Sequence, residues 1–269
     1  KRTDTMNKTG EEPILSLPER HNRILALLQQ FGSISVAQLA ERFKVSEVTI
    51  RKDLSYLEQQ KKLYRTHGSA ILISPYISDR HVNEKEKRNV AEKRAIGAFA
   101  ASLIAQDDSI IIASGTTVTF LAREINPAGH LTAITASVPV TQILSQCPDV
   151  DVIQLGGITR SSSVSVVGPF AEQMLRSFNC SKLFIGVDGI DTEFGLTTTN
   201  MLEASLNGAM IDAAQKVIVL ADSSKFGRRG FSKICDLESV DRIITDSGVQ
   251  SVYLDRLRER GIEVTVVDV

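Results

Sequence analysis

Residues 45–58, VSEVTIRKDLSYLE, predict a tight connection followed by a helix. Ser46 has the chemistry of an N-cap residue, because its hydroxyl can accept hydrogen bonds from the free backbone amides of a first helical turn. Ile50, Leu54 and Leu57 then recur at helical spacing, so one side of this helix is expected to face a core.

Two further helices are predicted just before this one, which itself runs from Glu47 to about Gln59. The first begins near Pro18 and ends at Gly32, and the second covers 36–43; both carry apolar residues three and four positions apart. A helix, a short turn and a second helix make up the helix-turn-helix of DNA-binding proteins.

The polar side of the third helix predicts contacts to DNA. In a helix-turn-helix the early residues of the second helix enter the major groove, where Arg and Lys donate to guanine and hydroxyls contact bases or phosphates. A solvent-exposed helix with salt bridges would show the same residue types, so this face alone leaves that alternative open. The predicted contacts on this segment are Ser46, Thr49, Arg51, Lys52 and Ser55.

Residues 63–72, LYRTHGSAIL, predict two short strands joined at Gly68. Such a hairpin is the wing of a winged helix-turn-helix, which we place over residues 17–74. Arg65 and His67 lie before and at the tip of the wing, where we expect them to contact phosphates.

The charge of the chain is divided unevenly along its 269 residues. Residues 17–74 carry nine Lys and Arg against five Asp and Glu, whereas residues 75–269 carry nineteen against twenty-four. A basic module followed by an acidic one is expected if only the first meets a polyanion such as double-stranded DNA, although a chance surface bias is the alternative. Residues 1–16 are interpreted as a tail, and Lys1–Thr5, before the first methionine, are left outside the fold argument.

The composition argues against disordered chains, collagen-like repeats and coiled-coil rods. With 42% hydrophobic and 23% charged residues, the chain is expected to fold. No apolar stretch or leader pattern predicts a membrane partner, so we expect a cytoplasmic protein. The three cysteines, Cys147, Cys180 and Cys235, are odd in number and far apart, which predicts reduced thiols. No metal or cofactor is expected.

The rest of the chain predicts an α/β domain over residues 91–269. Residues 75–90 are rich in charge and are interpreted as an extended linker, and a helix is predicted over 91–105. From Ser109 onward, short Val- and Ile-rich runs alternate with amphipathic helices, which indicates a mainly parallel sheet covered on both faces. The predicted strands are 109–113, 131–135, 150–155, 182–187, 216–221, 241–245 and 263–267.

Small polar residues follow the predicted strands. In open parallel sheets ligands bind beyond the carboxyl ends of the strands, so these residues are expected to converge on one rim. The predicted effector-binding residues are Ser114, Gly115, Thr116, Thr117, Thr135, Ser137, Gly156, Gly157, Arg160, Asp188, Asp191, Asp222 and Lys225.

The Gly115-Thr116-Thr117 motif has the clearest chemistry. A glycine and two threonines at a helix start offer backbone amides, hydroxyls and a positive dipole to an anion such as phosphate, although the same residues could simply cap the helix. Lys225 and Arg160 could neutralise that anion or be ordinary solvated side chains. The three aspartates could accept sugar hydroxyls or cap strand ends.

The winged segment resembles the N-terminal signature of the DeoR family of bacterial transcriptional regulators. The resemblance rests on Thr49-Ile50-Arg51, Asp53-Leu54 and Leu57-Glu58 at a fixed distance from Val45-Ser46, and on Arg65-Thr66-His67-Gly68. Two departures, Lys62 and Ser69, stand where the family often has glycine.

The segment from about Val90 to Val269 resembles the DeoR-type effector domain, whose Rossmann-like fold is similar to ribose-5-phosphate isomerase and the CoA transferases. The resemblance implies a cytoplasmic repressor, commonly of carbohydrate-catabolism genes, that is released by a phosphorylated sugar. Ala113 and Ala136 stand where relatives often have Asp and Asn, so the sugar need not be one that a relative senses. The matching positions are Ser114–Thr117, Gly156, Gly157, Gly168, Asp188–Asp191, Gly195, Thr197, Asn200, Glu203 and Asp222–Phe226.

Two alternatives remain open beside a sugar-phosphate-controlled regulator. One is an isomerase-like enzyme with an attached DNA-binding domain, in which Asp188 or Asp191 moves a proton. The isomerases carry a Lys- and Gly-rich loop after these positions, whereas residues 192–196 contain no lysine, so we expect no enzyme. The other is a regulator controlled by a protein partner. A homodimer or homotetramer is expected, because two half-sites add their contacts.

Overall fold

The computed structural model describes residues 16–31, 33–60, 62–65, 69–72 and 81–269. The chain divides into two compact units, Lys1–Ile73 and Ser74–Val269. In the described ranges, no helix combines the length and apolarity needed to cross a membrane.

The smaller unit is a three-helix module with a small antiparallel sheet, which confirms the predicted helices and the two strands of the wing. Its strands are arranged in the order β1-β3-β2, and β1 was not predicted. The elements are α1 (Leu17–Phe31), β1 (Ser33–Ser35), α2 (Val36–Phe43), α3 (Glu47–Gln59), β2 (Leu63–Arg65) and β3 (Ser69–Leu72).

The two helices of the helix-turn-helix are bounded by local hydrogen bonds. Ser35 and Gln38 form a capping box at the start of α2, with distances of 3.1 and 2.9 Å. Lys44 adopts a left-handed conformation with φ 52° and closes α2. The Ser46 hydroxyl accepts a hydrogen bond from the Thr49 amide at 3.2 Å, which confirms the predicted N-cap of α3.

The core of this unit forms where the three helices and the wing meet. The predicted core side chains of α3 are all buried, as are residues from the other elements. The fully or nearly fully buried side chains are Ile24, Leu28, Leu39, Ile50, Leu54, Leu57, Leu63 and Ala70.

The larger unit is built on a seven-stranded, wholly parallel sheet in the order β15-β14-β12-β9-β4-β5-β6. All seven predicted strands are present, each with its ends within one residue of the prediction. They are β4 (Ser109–Ile112), β5 (Leu131–Thr135), β6 (Val150–Gln154), β9 (Lys182–Gly186), β12 (Val217–Leu220), β14 (Arg242–Asp246) and β15 (Glu263–Val267).

Helices cover the sheet and bury its middle strands. Ile110, Ile111 and Ile112 of β4 are fully buried, as expected for a strand with helices on both faces. The helices are α4 (Val82–Glu86), α5 (Val90–Ala101), α6 (Thr116–Glu124), α7 (Val138–Leu144), α8 (Pro169–Leu175), α9 (Met201–Asp212) and α10 (Ser251–Glu259).

Five short strands were not predicted. A hairpin of β7 and β8 and a three-stranded sheet in the order β10-β11-β13 lie outside the main sheet, in segments where the sequence analysis predicts no strand. Their bounds are β7 (Ile158–Arg160), β8 (Ser165–Val167), β10 (Gly189–Asp191), β11 (Gly195–Thr198) and β13 (Ser232–Cys235).

Two predictions at the start of this unit are wrong in detail. Helix α5 ends at Ala101, not at 105, because the next amides form tight turns and the Asp108 carboxylate accepts a hydrogen bond from the Ala105 amide at 2.7 Å. The expected extended linker contains α4, because His81 caps this helix by accepting from the Asn83 amide at 3.2 Å.

Candidate ligand pocket and DNA-binding surface

The exposed side of α3 carries the predicted DNA contacts. Arg51 and Lys52 are exposed, while Thr49 and Ser55 are partly exposed on the side away from the core. Ser46 is exposed at the helix start, where its hydroxyl serves as the cap and lies 2.9 Å from the Thr49 hydroxyl.

Two of the predicted DNA contacts are held in exposed ion pairs. Arg51 pairs with Glu47 one turn earlier at 2.6 Å, and Arg65 pairs with Glu58 at 2.9 Å. Exposed pairs of this kind contribute little free energy, so DNA phosphates can replace the carboxylates. Lys52 makes no ion pair within the part of the chain that the structure describes, whereas the prediction for His67 lies outside those residues.

A buried cluster orients α3 against α1, and the sequence analysis missed it. The Asp53 carboxylate accepts two hydrogen bonds from the Arg20 guanidinium, at 2.6 and 3.1 Å, and lies 3.2 Å from the His21 ring. The hydrogen bonds with Asp53 raise the pKa of Arg20 above its ordinary value. His21 stacks on Tyr56 of α3, with ring centroids 5.1 Å apart. Asp53 therefore fixes the position of the helix rather than contacting DNA.

A cavity in the larger unit gathers residues from the carboxyl ends of β4 and β9 and from α4 and α9. Six of the predicted effector-binding residues line it: Ser114, Gly115, Thr116, Thr117, Asp188 and Lys225. The other polar side chains that line it were not among the predicted site residues, and they are Lys85, Ser162, Ser163, Thr198, Glu203 and Asn207.

One wall of the cavity is the start of α6. Gly115 precedes the helix with φ 129°, a conformation that favours glycine, and no side chain caps the amides of the first turn. Thr116 and Thr117 are buried, and their hydroxyls have no hydrogen-bond partner among the residues that the structure describes. Free amides, two unpaired hydroxyls and the positive end of the helix dipole together suit an anion.

Two lysines place positive charge in the same cavity. Lys85 of α4 donates to the Asp188 carboxylate at 2.7 Å. Lys225 has no carboxylate within ion-pair distance in the described ranges. Burial lowers the pKa of Lys225, although the charges of Asp188 and Asp222 oppose that shift. The Lys225 ammonium is therefore the cation that an incoming anion can pair with.

The acidic part of the cavity is formed by Asp188 and Glu203. The Thr198 hydroxyl lies 3.2 Å from an oxygen of each carboxylate. Burial alone would raise the pKa of Asp188, but the positive charges of Lys85 and Lys225 outweigh it and the pKa is lowered. Asp188 is therefore ionised at neutral pH.

Seven of the predicted effector-binding residues do not line this cavity. Thr135 donates to the Ile112 carbonyl at 2.6 Å, and Ser137 caps α7. Asp191 is fully buried and binds Arg229 through two contacts of 2.7 and 3.0 Å. These side chains make local contacts instead, and for Asp191 a local role is the alternative that the sequence analysis left open.

The remaining four make other contacts. Arg160 forms an ion pair at 3.5 Å with Glu203, which lines the cavity. Asp222 caps the turn at residues 223–225 and accepts a hydrogen bond from the Asn89 amide group at 2.8 Å. Gly156 and Gly157 form the connection from β6 to β7. In residues 16–31, 33–60, 62–65, 69–72 and 81–269 there is no group of three or more His, Cys, Asp or Glu that could hold a metal ion.

Comparison with solved structures gives low similarity scores. Ribose 5-phosphate isomerase A from Neisseria gonorrhoeae has a TM-score of 0.35 at 16% identity, covering 50% of this chain and 52% of the isomerase. The enzyme from Methanocaldococcus jannaschii has a TM-score of 0.36 at 16% identity, covering 54% of this chain and 55% of the isomerase.

The similarity to known protein sequences is much higher than the similarity to these solved structures. The HTH-type transcriptional regulator YulB of Bacillus subtilis is 39% identical over 249 residues, covering 93% of this chain and 96% of the relative. The putative aga operon transcriptional repressor of Escherichia coli O157:H7 is 37% identical over 262 residues, covering 96% and 97%. The transcriptional repressor GlcR of Bacillus subtilis is 34% identical over 250 residues, covering 93% and 96%. These relatives are transcriptional regulators, not enzymes.

Two family models match the two units. The DeoR-like helix-turn-helix domain matches residues 20–76, and the DeoR C-terminal sensor domain matches residues 88–247. DNA binding is therefore the role of the winged unit, and effector sensing that of the larger unit. Both matches confirm the resemblance found in the sequence, and the chain belongs to the DeoR family of helix-turn-helix transcriptional regulators.

Proposed function

We propose that this protein is a repressor of carbohydrate-catabolism genes whose binding to a double-stranded DNA operator is controlled by a phosphorylated sugar. Relatives named as repressors of an aga operon and of a lactose phosphotransferase system, 37% and 36% identical to this chain, support the link to sugar genes. The proposed DNA-binding and sensor domains are residues 17–74 and 91–269. A homodimer or homotetramer in the cytoplasm completes the proposal.

The observation that carries the proposal is the uncapped start of α6 facing a cavity that also contains an unpaired lysine. The amides and hydroxyls of Thr116 and Thr117 supply donors, and Lys225 supplies a compensating positive charge. A phosphate bound by one helix terminus and one lysine leaves the rest of the ligand among polar side chains. A sugar phosphate has that combination of groups.

Control of DNA binding is proposed to pass through α4, which follows the winged unit in the chain and lines the cavity. The Val82 amide donates to the Ser162 carbonyl at 2.7 Å, and Lys85 binds Asp188. Lys93 donates to the carbonyls of Lys85 and Arg88. A ligand that changes the Lys85 contact therefore changes how this segment is held, and by linkage DNA changes the ligand affinity by the same factor.

DNA recognition is proposed to use the exposed side of α3 and the wing. Major-groove contacts would come from the early residues of the helix, and phosphate contacts from the wing. The proposed contacts are Ser46, Thr49, Arg51, Lys52, Ser55, Arg65 and His67.

A thermal-shift experiment tests the ligand. Each free sugar is paired with its phosphate, and we expect only phosphates to raise the melting temperature, because a ligand that binds only the native state stabilises it by mass action. The best phosphate is then added to the protein bound to an operator selected from random DNA, with the expected result that binding weakens. Stabilisation by free sugars and phosphates alike, or no effect of any phosphate, would contradict the proposal.

A further inference from the structure

Asn207 of α9 is a buried polar side chain that the fold does not use. It is 7% exposed and lines the cavity, yet its carboxamide makes no hydrogen bond to any residue that the structure describes. Its polar atoms are not among the fully sealed, partnerless atoms of the described residues, so they are accessible from the cavity, where a ligand can pair with them.

The neighbours of Asn207 show which part of a ligand it can meet. Glu203 lies one turn earlier on α9, so the two side chains share one side of the helix. Glu203 is 9% exposed and also lines the cavity. The α9 wall, defined here as Glu203 and Asn207, therefore combines one carboxylate with one neutral amide.

The α9 wall and the start of α6 lie on different helices, although both helices pack on β9. α9 also packs on α8, β11 and β13, whereas α6 also packs on α5 and α7. The Glu203 carboxylate already pairs with Arg160 and contacts the Thr198 hydroxyl, whereas the α6 terminus and Lys225 offer an anion unpaired donors and an unpaired positive charge. The charge distribution therefore directs the phosphate away from α9 and directs the uncharged part of the same ligand toward it.

We propose that Asn207 determines which sugar phosphate the protein senses, by pairing with a hydroxyl of the sugar. A carboxamide offers a donor and an acceptor, and a hydroxyl can use both. The inference rests on the proposed function, because it assumes that the phosphate of the ligand binds at α6. It assigns Asn207 to the sugar and not to the phosphate.

The test measures two probes on the same variants. Glucose 6-phosphate, galactose 6-phosphate, fructose 6-phosphate and ribose 5-phosphate are titrated by thermal shift on the full chain, beside inorganic phosphate. For the sugar phosphate that binds best, we expect Asn207→Ala to weaken binding roughly tenfold to a hundredfold. Inorganic phosphate should bind the variant within about twofold of the unchanged protein. Asn207→Leu, which keeps the volume of the side chain, should likewise weaken binding of the sugar phosphate and leave binding of inorganic phosphate unchanged.

The control is Ser205→Ala, at an exposed position on the same helix, which should change the binding of neither the sugar phosphate nor inorganic phosphate. A series of deoxy analogues adds a readout that a structural role would not produce. The analogue that lacks the paired hydroxyl should bind the unchanged protein and Asn207→Ala equally.

The outcomes separate the two proposals. Unchanged affinity of both Asn207 variants for the sugar phosphate, or an equal loss for inorganic phosphate, overturns the role of Asn207 alone. Failure of every phosphate to bind the unchanged protein overturns the proposed function and this inference with it.

Discussion

The ammonium nitrogen of Lys85 on α4 lies 2.7 Å from a carboxylate oxygen of Asp188, directly after β9. The side chains are 26% and 10% exposed, so the pair is largely withdrawn from water. An anion beside Lys225 has the same sign as Asp188 and competes with it for Lys85. Under the proposed function, we therefore expect occupancy of the cavity to change how α4 is held.

Lys85→Met tests this link. We expect the variant to bind operator DNA normally without effector, because Lys85 lies outside the winged unit. The affinity for operator is measured by fluorescence anisotropy without effector and at saturating sugar phosphate. In Lys85→Met the ratio of the first affinity to the second should fall toward one. Lys87→Met, an exposed neighbour, is the matched control, and a normal ratio in Lys85→Met would exclude α4 as the link.

Lys52→Ala is expected to weaken operator binding without changing the ligand response. If Lys52 neutralises a DNA phosphate, the slope of log affinity against log salt should fall by about one unit. Titrations at several salt concentrations measure this. Lys216→Ala removes an exposed lysine from the larger unit and should leave the slope unchanged. Unaltered operator affinity in Lys52→Ala would remove this residue from the proposed interface, and weakened affinity with an unaltered slope would assign it to a base instead of a phosphate.

Lys225→Met and Thr116→Val are expected to produce the reverse pattern. Each removes a group that faces the cavity and has no partner in the described ranges, so stabilisation by phosphates should be reduced at least tenfold in affinity. Operator binding without ligand should be retained. Lys233→Met, whose lysine pairs with Asp236 at 2.5 Å, is the control. Loss of DNA binding together with ligand binding would show that the two activities are not separated between the two units.

Arg20→Met should destabilise the winged unit. It leaves the Asp53 carboxylate, 3% exposed, without its main partner, and breaking such a buried pair costs about 3–5 kcal/mol. Urea unfolding followed by circular dichroism measures the loss, while the phosphate response of the larger unit should persist. Arg23→Met removes an exposed arginine from the same helix and should change stability by less than about 0.5 kcal/mol.

Lys93 gives a prediction for alkaline pH. Burial lowers its pKa from 10.5 to about 8, against the attraction of Asp222. The folded chain therefore binds this proton less tightly than the unfolded chain, so protonation opposes folding below pH 8. That penalty disappears as the pH rises from about 8 toward 10.5.

The comparison with Lys93→Met isolates this effect from other titrating groups. Between pH 7.5 and 10, the unchanged protein should gain about 1–3 kcal/mol of unfolding free energy relative to the variant. Lys87→Met retains Lys93 and should therefore gain the same unfolding free energy as the unchanged protein. A difference that stays constant across this range would contradict the lowered pKa.

The main sheet could be predicted because its strands are buried on both faces. A run such as Ile110–Ile112 must be apolar throughout, and this pattern separates it from the amphipathic helices around it. The small strands β7, β8, β10, β11 and β13 carry no such signal. They have three or four residues each and include glycine, threonine and serine, so their pattern is that of a loop.

The pocket could be predicted in part for a related reason. Parallel strands bring their carboxyl ends to one edge, so Gly115–Thr117 and Asp188 could be placed together from their positions after β4 and β9. The same rule placed Thr135 and Asp191 there as well. It could not show that the Ile112 carbonyl and Arg229 already engage these two side chains.

The sequence by itself determined the family, the winged helix-turn-helix, the order of strands along the chain and the helix start at Thr116, because these depend on local periodicity and on short motifs. Only the tertiary structure decided that Lys85, Glu203 and Asn207 line the cavity and that Asp53 is buried against Arg20. Those relationships join residues from separate elements. They depend on how side chains pack and pair in three dimensions, which no local pattern encodes.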